Sequence, residues 1–267
     1  MSISKKISNF SIKQICESGQ CFRMKELSEN EYEVIAFGKY LKVRPKGDIT
    51  EFDCTEEEFN EIWVPYFDLE TDYQKIIDAI DKNDKYLINA ANNGEGIRIL
   101  RQDLFEMIIS FIISQRNNIK RIKKCIVLLC ERFGEKKIAP DGSVYYDFPT
   151  AEALYNADIE EIKSLGVGYR DIYIKKAAEA VFLGEIDLSE VEKKDYFSAK
   201  ETLLKLYGVG EKVADCICLF SLHKTESFPK DTHINQVLER EYKCGFPFDK
   251  YGDKVGILQQ YMFYNEL

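Results

Sequence analysis

Lys212 stands where a lysine is least expected. It follows the turn Leu206-Tyr207-Gly208-Val209-Gly210 and falls in the first turn of the helix that starts there. The dipole at a helix start disfavours an ammonium ion, and partial desolvation adds to that effect, so the neutral amine that attacks carbon is favoured. Asp231 opens a later helix in the run Pro229-Lys230-Asp231-Thr232-His233. An aspartate at that position serves as an N-cap. The same oriented carboxylate suits stabilisation of a cationic transition state and proton transfer. Read one at a time, the two residues are a solvated surface lysine and an ordinary cap. Read together, they are the equipment for covalent amine chemistry.

Glycines two apart, Gly208 and Gly210 around Val209, permit positive φ and close approach of another backbone. The amides that open the next helix lack intrahelical partners and suit a phosphate group. The same pattern recurs as Leu165-Gly166-Val167-Gly168, ahead of Tyr169 and Arg170. Alone, either repeat reads as a tight turn. The net charge of −9 and the pI near 5.1 disfavour nucleic acid, because phosphate neutralisation drives non-specific DNA affinity. The distribution counters the sum: acidic residues crowd segment 51–84, while Lys120, Arg121, Lys123 and Lys124 form a compact basic cluster.

The elements that must hold these residues fall into two parts. Glu31 to Phe37 and Lys39 to Arg44 alternate polar and apolar residues around Gly38, which predicts a β-hairpin, with a further strand near Ile49 to Cys54. Thr55 is the expected cap of a helix carrying Phe59 and Trp63. From Tyr73 onward helical spacing dominates. Leu104, Ile108, Phe111 and Ile112 form one apolar stripe behind Asp103, its expected cap; Ile119, Ile122, Ile126 and Leu129 form another; Phe148-Pro149-Thr150 restarts a helix. The expected class is α+β and mainly helical, with an antiparallel sheet domain over residues 1–72 and a helical region over residues 73–267.

A chain of 267 residues with 45% hydrophobic and 31% charged content has the composition of an ordinary globular protein. The longest apolar stretch, Met107 to Ile113, is broken by Ser110 and falls far short of a bilayer span. Met1 to Phe10 carries no apolar signal region, so a cytoplasmic protein is expected, with no membrane partner. Eight cysteines include no CxxC pair, and only His223 and His233 supply imidazole. A metal site is therefore not expected, and the thiols read as reduced and buried.

The run LYGVGEKVADCICLF followed by FPKDTHI resembles the signature of the eukaryotic-type 8-oxoguanine DNA glycosylase/lyase family. Ser18 to Arg23, Gly96 to Asp103, Asn117 to Arg121, Gly166 to Arg170 and Gln259 to Phe263 fit as well, in the family's order and over essentially the whole chain. The resemblance implies a helix-hairpin-helix glycosylase fold whose two helical subdomains hold the active site in a cleft. It implies that double-stranded DNA is bound by a monomer without cofactor, that 8-oxoguanine is flipped out and excised through a Lys212 Schiff base, and that the strand is then nicked. In a prokaryote such an enzyme works at the nucleoid; in a eukaryote, in the nucleus.

Residue by residue, the resemblance gives Gly19 the carbonyl that accepts the proton at the oxidised purine N7, and gives Gln259 the Watson–Crick edge. Phe263 and Cys216 match the residues on the two faces of the base, and His233 matches the histidine near the damaged nucleotide's phosphate. The resemblance also implies that Gly208, Val209 and Gly210 contact DNA. Arg121 and Arg170 match the readers of the opposite cytosine, and Tyr169 matches the wedge. The departure is Arg116, where the family reads the first of three asparagines; either Arg116 or Asn117 fills the gap left by the lesion. Phe263 lies close to Leu267, so fraying of that end is expected to loosen it. Two rival glycosylases fit less well: alkylpurine enzymes lack the lysine, and oxidised-pyrimidine enzymes carry iron–sulfur cysteines in a 6-2-5 spacing absent here. A non-enzymatic helix-hairpin-helix DNA-binding protein would need neither Lys212 nor Asp231.

Overall fold

The computed structural model describes residues 1–267. Five strands, β1 (Ile3–Lys5), β2 (Met24–Ser28), β3 (Glu31–Ala36), β4 (Lys39–Lys46) and β5 (Ile49–Phe52), form an antiparallel sheet in the order β1-β5-β4-β3-β2. Phe37 (φ +51°) and Gly38 (φ +71°) make the hairpin turn expected from the alternation, with both residues in the left-handed region that matches strand twist. β1 and β2 had no signature to read: β1 has three residues, and β2 buries only Met24. A hairpin of β6 (Lys136–Ile138) and β7 (Val144–Tyr146) was likewise not expected. The remainder is helical, and no helix is long and apolar enough to cross a membrane.

The chain divides into two compact units. One holds Met1–Glu33, Leu41–Arg101 and His223–Leu267; the other holds Val34–Tyr40 and Gln102–Leu222. The expected division after residue 72 follows the change from strands to helices, whereas this grouping returns the C-terminal helices to the N-terminal part.

In the first unit, Thr55 caps as expected, accepting the Glu58 amide at 3.1 Å. The helical run that follows widens to a π turn over Phe59–Trp63 and ends in an aromatic core of Trp63, Tyr66 and Phe67. Two motif segments turn out to be structural. Arg98 is buried with its guanidinium stacked 4.5 Å from the Tyr73 ring centre, and it donates to the carbonyls of Ser8, Asn9, Asp68 and Thr71. The Gln20 amide donates to the Arg98 carbonyl (2.9 Å), and its oxygen accepts the Leu100 amide (2.9 Å). Gln20 thereby pairs like a strand residue and fixes the turn that carries Gly19.

In the second unit, the Leu104–Ser114 helix is capped by Asp103 as expected, but it is not a one-sided stripe. Every residue from Leu104 to Ile113 is buried, because the helices Ile119–Phe133, Asp171–Phe182 and Glu211–Phe220 pack around it. The Ile119–Phe133 helix keeps the expected polarity, with Ile122, Ile126 and Leu129 inward and Lys120, Arg121 and Lys124 exposed. Seven cysteines are buried, none of them in a disulfide, and Cys244 alone is exposed; burial pushes the Cys54 thiol up to about 12.

Asp68 ends the aromatic run in the left-handed conformation (φ +51°). Its buried carboxylate meets the Tyr73 hydroxyl (3.0 Å), Arg101 (3.1 Å) and His223 (3.2 Å). Burial alone would raise this group, but bonds from His223, Thr71 and Arg101 outweigh it and hold the carboxyl down at about 2. The folded value lies below the unfolded one near 3.8, so the stabilisation is complete above that pH and disappears as pH falls through about 2. We expect Asp68→Asn to cost about 2 kcal/mol at neutral pH and, in denaturant melts, to flatten the loss of stability below pH 4.

Candidate active site

The turn before Lys212 is closed by the Val209 amide on the Leu206 carbonyl (3.0 Å), and the helix Glu211–Phe220 begins when the Gly210 carbonyl accepts the Ala214 amide (2.9 Å). Gly210 is the N-cap and offers no side chain, so the helix start is uncapped. Gly208 is at φ +87°, and a Cβ there would lie 2.4 Å from the Tyr173 ring. Lys212 is half-buried, with Nζ 5.6 Å from the centre of the Phe111 ring, which in turn stacks on Phe220 at 5.7 Å. The negative π face of that ring gives the amine an apolar support. Cys216 lies one turn along, 3% exposed. Asp215, on the same helix, accepts from Lys200 (2.9 Å) and from the Tyr196 hydroxyl (2.7 Å). Burial would lower Lys200, but its bonds to Asp215 and Glu211 win and raise it, so it remains a paired cation.

The other expected residues of this unit gather around the end of the Leu104–Ser114 helix. Arg116 is exposed and sits at φ +47°. Asparagine is tolerated there much better than arginine, so the departure from the family pattern carries backbone strain as well as charge. Asn117 uses its amide on the Ile113 carbonyl (3.1 Å) and the Asn118 amide (3.0 Å). Arg121 is exposed and donates to the Gly166 carbonyl (3.0 Å). Tyr169 is 51% exposed, while Arg170, stacked beneath its ring at 4.5 Å, is 5% exposed. Arg170 donates to the carbonyls of Gln115, Arg116 and Val167.

In the first unit the Asp231 carboxylate accepts the Ile234 amide at 2.8 Å, as expected of a cap. The Gln259 amide nitrogen donates to the Pro229 carbonyl (3.1 Å), which ties the C-terminal helix Val255–Asn265 to the segment that leads into Asp231. Its neighbour Gln260 donates to the Ser18 carbonyl (2.6 Å), drawing the Gly19 turn (φ +75°) to the same helix. Phe263 meets the His233 ring edge-on at 6.3 Å. The Gln259 oxygen is buried and accepts no hydrogen bond. A buried unpaired acceptor costs about 1–3 kcal/mol, a cost that a ligand donor would remove. The expected fraying at Leu267 is corrected: Glu266 binds Tyr86 (2.9 Å) and Arg240 (2.7 Å), and Asn265 accepts from Asn93 (2.7 Å), so the last turn is tied down.

Sequence reasoning passed over Gln115, Tyr173 and Gln260. Gln260 adjoins a flagged residue, but nothing in the sequence announces a long-range partner at Ser18; Tyr173 becomes legible only when the demand for glycine at 208 is seen.

Residues 2–108 match the family described as 8-oxoguanine DNA glycosylase, N-terminal domain, and residues 109–245 match the HhH-GPD superfamily of base excision DNA repair proteins. The N-glycosylase/DNA lyase of Saccharomyces cerevisiae is 32% identical over 88% of this chain and 69% of its own length. Among solved structures, the Clostridium acetobutylicum 8-oxoguanine glycosylase/lyase, bound to double-stranded DNA with cytosine opposite 8-oxoG, superposes with a TM-score of 0.92 at 37% identity, over 99% of this chain and 97% of that one. MBOgg1 in complex with a low affinity DNA ligand gives 0.94 at 38% identity, over 99% and 95%.

The two hairpin glycines differ in what they tolerate. Gly208→Ala collides with Tyr173 and strains φ, so we expect a loss of about 2–4 kcal/mol in thermal or urea unfolding, together with weaker DNA binding. Gly210→Ala meets open space and should leave stability within about 0.5 kcal/mol.

Proposed function

The chain belongs to the 8-oxoguanine DNA glycosylase family, and from that premise we propose how its own residues divide the work of a bifunctional N-glycosylase/AP lyase. The protein removes 8-oxoguanine from double-stranded DNA and cuts the strand at the site left behind. The observation that carries our assignment is Lys212 in the first turn of an uncapped helix, backed by the Phe111 ring.

Lys212 attacks C1′ of the extruded nucleotide through its neutral amine. The C1′–N9 bond breaks, and the base leaves with the bonding pair and takes up a proton. The amine then loses its protons and the sugar ring opens, giving a Schiff base. Loss of a proton from C2′ expels the 3′ phosphate and nicks the strand. Asp231 stabilises the positive charge that builds on the sugar; capping occupies one of its oxygens and fixes the group's direction. Gly19 accepts the N7 proton that guanine lacks. The Gln259 amide, whose oxygen is the buried unpaired acceptor, reads the Watson–Crick edge. Phe263 stacks on the base, Cys216 contacts it, and His233 approaches the nucleotide's phosphate. Val209, whose amide closes the turn on Leu206, holds the Gly208 and Gly210 amides that take a backbone phosphate.

On the other strand, Arg121 and Arg170 read cytosine, Tyr169 wedges beside the vacated step, and Arg116 fills the gap. Asn117 is engaged within its own loop, which favours Arg116 for that role. The enzyme works as a monomer, in the cytoplasm at the nucleoid or, in a eukaryote, in the nucleus.

Borohydride should trap a covalent complex with DNA containing 8-oxoguanine, and Lys212→Gln should abolish it; trapping that survives the substitution sinks the assignment. Asp231→Asn keeps an oxygen for the cap, so stability should stay within about 0.5 kcal/mol while excision slows by about 100- to 10,000-fold. Excision opposite cytosine should outpace excision opposite adenine. Equal single-turnover rates would remove the role given to Arg121.

A further inference from the structure

Gln115 joins three segments. It ends the Leu104–Ser114 helix and immediately precedes Arg116. Its carbonyl accepts the Arg170 Nε at 2.9 Å and a second bond from Nη2. Its side-chain Nε2 donates to the Gly208 carbonyl at 2.9 Å. The backbone that presents Arg116, the guanidinium under Tyr169 and the turn that starts the Lys212 helix therefore meet at one half-buried residue, which receives Arg170 through its main-chain carbonyl and holds Gly208 through its side chain. Gly208 is held from a second side by the Tyr173 ring, whose edge also meets Tyr169 at 5.8 Å.

Arginine has five N–H groups, and here four bonds run to the carbonyls of Gln115, Arg116 and Val167. A bidentate contact to a base edge needs two N–H groups. Arg170 can make that contact only by giving up a bond to one of these carbonyls, and Gln115 accepts two of the four. We infer that Gln115 is a positioning residue through which the nucleotide opposite the lesion adjusts the turn that places Lys212. This rests on the assignment of Arg170 to the opposite strand.

The test is single-turnover excision of 8-oxoguanine paired with cytosine and with adenine. The proteins compared are the wild type, Gln115→Ala, Gln115→Met, Arg170→Ala and the double variant Gln115→Ala/Arg170→Ala. Gln115→Met keeps the side-chain length without the donor and, with a thermal melt, separates lost coupling from lost folding. We expect both Gln115 variants to narrow the cytosine-to-adenine rate ratio about three- to tenfold, and Gln115→Ala to leave the ratio unchanged in the Arg170→Ala background. A Gln115 that merely braces the fold would lower both rates in proportion; that result, or an unaltered ratio, overturns the inference while leaving the opposite-strand reading intact. A wild-type ratio of one overturns that reading too.

Discussion

A helix that begins without a side-chain cap leaves its positive end to be answered by something else. Glu211–Phe220 begins in this way, at a glycine, and much of the second unit is arranged to keep that start in place. Gly208 lies flat against Tyr173, Gln115 holds the Gly208 carbonyl, and Asp215 anchors the far side of the helix to Lys200 and Tyr196. The Phe111 and Phe220 rings give Lys212 an apolar support. The phosphate contact and the amine nucleophile that we propose there would both answer one electrostatic condition.

The first unit supplies residues of another kind. Its candidates are set by side-chain amides that behave as pieces of backbone: Gln20 pairs with the 98–100 segment, Gln260 grips Ser18, and Gln259 grips Pro229. These bonds draw Gly19, Gln259 and the approach to Asp231 onto one helix. Each amide has a polar partner except at the Gln259 oxygen. In an interior where such groups are nearly always satisfied, that exception supports the base-reading role that we propose for Gln259.

What the sequence disclosed was what local chemistry controls. The caps at Asp103, Thr55 and Asp231 form where their side chains predicted, because an N-cap is decided within four residues. The hairpin at Gly38 and the exposed basic face at Lys120, Arg121 and Lys124 follow from short-range periodicity. The burial of the whole Leu104–Ser114 helix was hidden because it depends on three helices distant in sequence. The strand β1 was hidden because it takes its register from β5. At the site, Lys212 announced itself by breaking a local preference. Gln115 broke none, and its importance comes only from what surrounds it. Arg116 lies between these cases: its type departs from the family pattern, but its positive φ is visible only in the fold.

The seven buried thiols have a meaning for an enzyme that repairs oxidised bases. Its substrate arises wherever oxidants reach DNA, so the protein works among reagents that also attack sulfur. Oxidation of cysteine proceeds through the accessible thiolate. Cys216, which we assign to the base, is 3% exposed, and burial raises the Cys54 pKa, which disfavours its thiolate. The chain thus offers such reagents a single accessible thiol, Cys244, beyond the end of the helix that Asp231 caps. The packing that stabilises the fold also keeps the repair machinery from becoming a target of the damage it corrects.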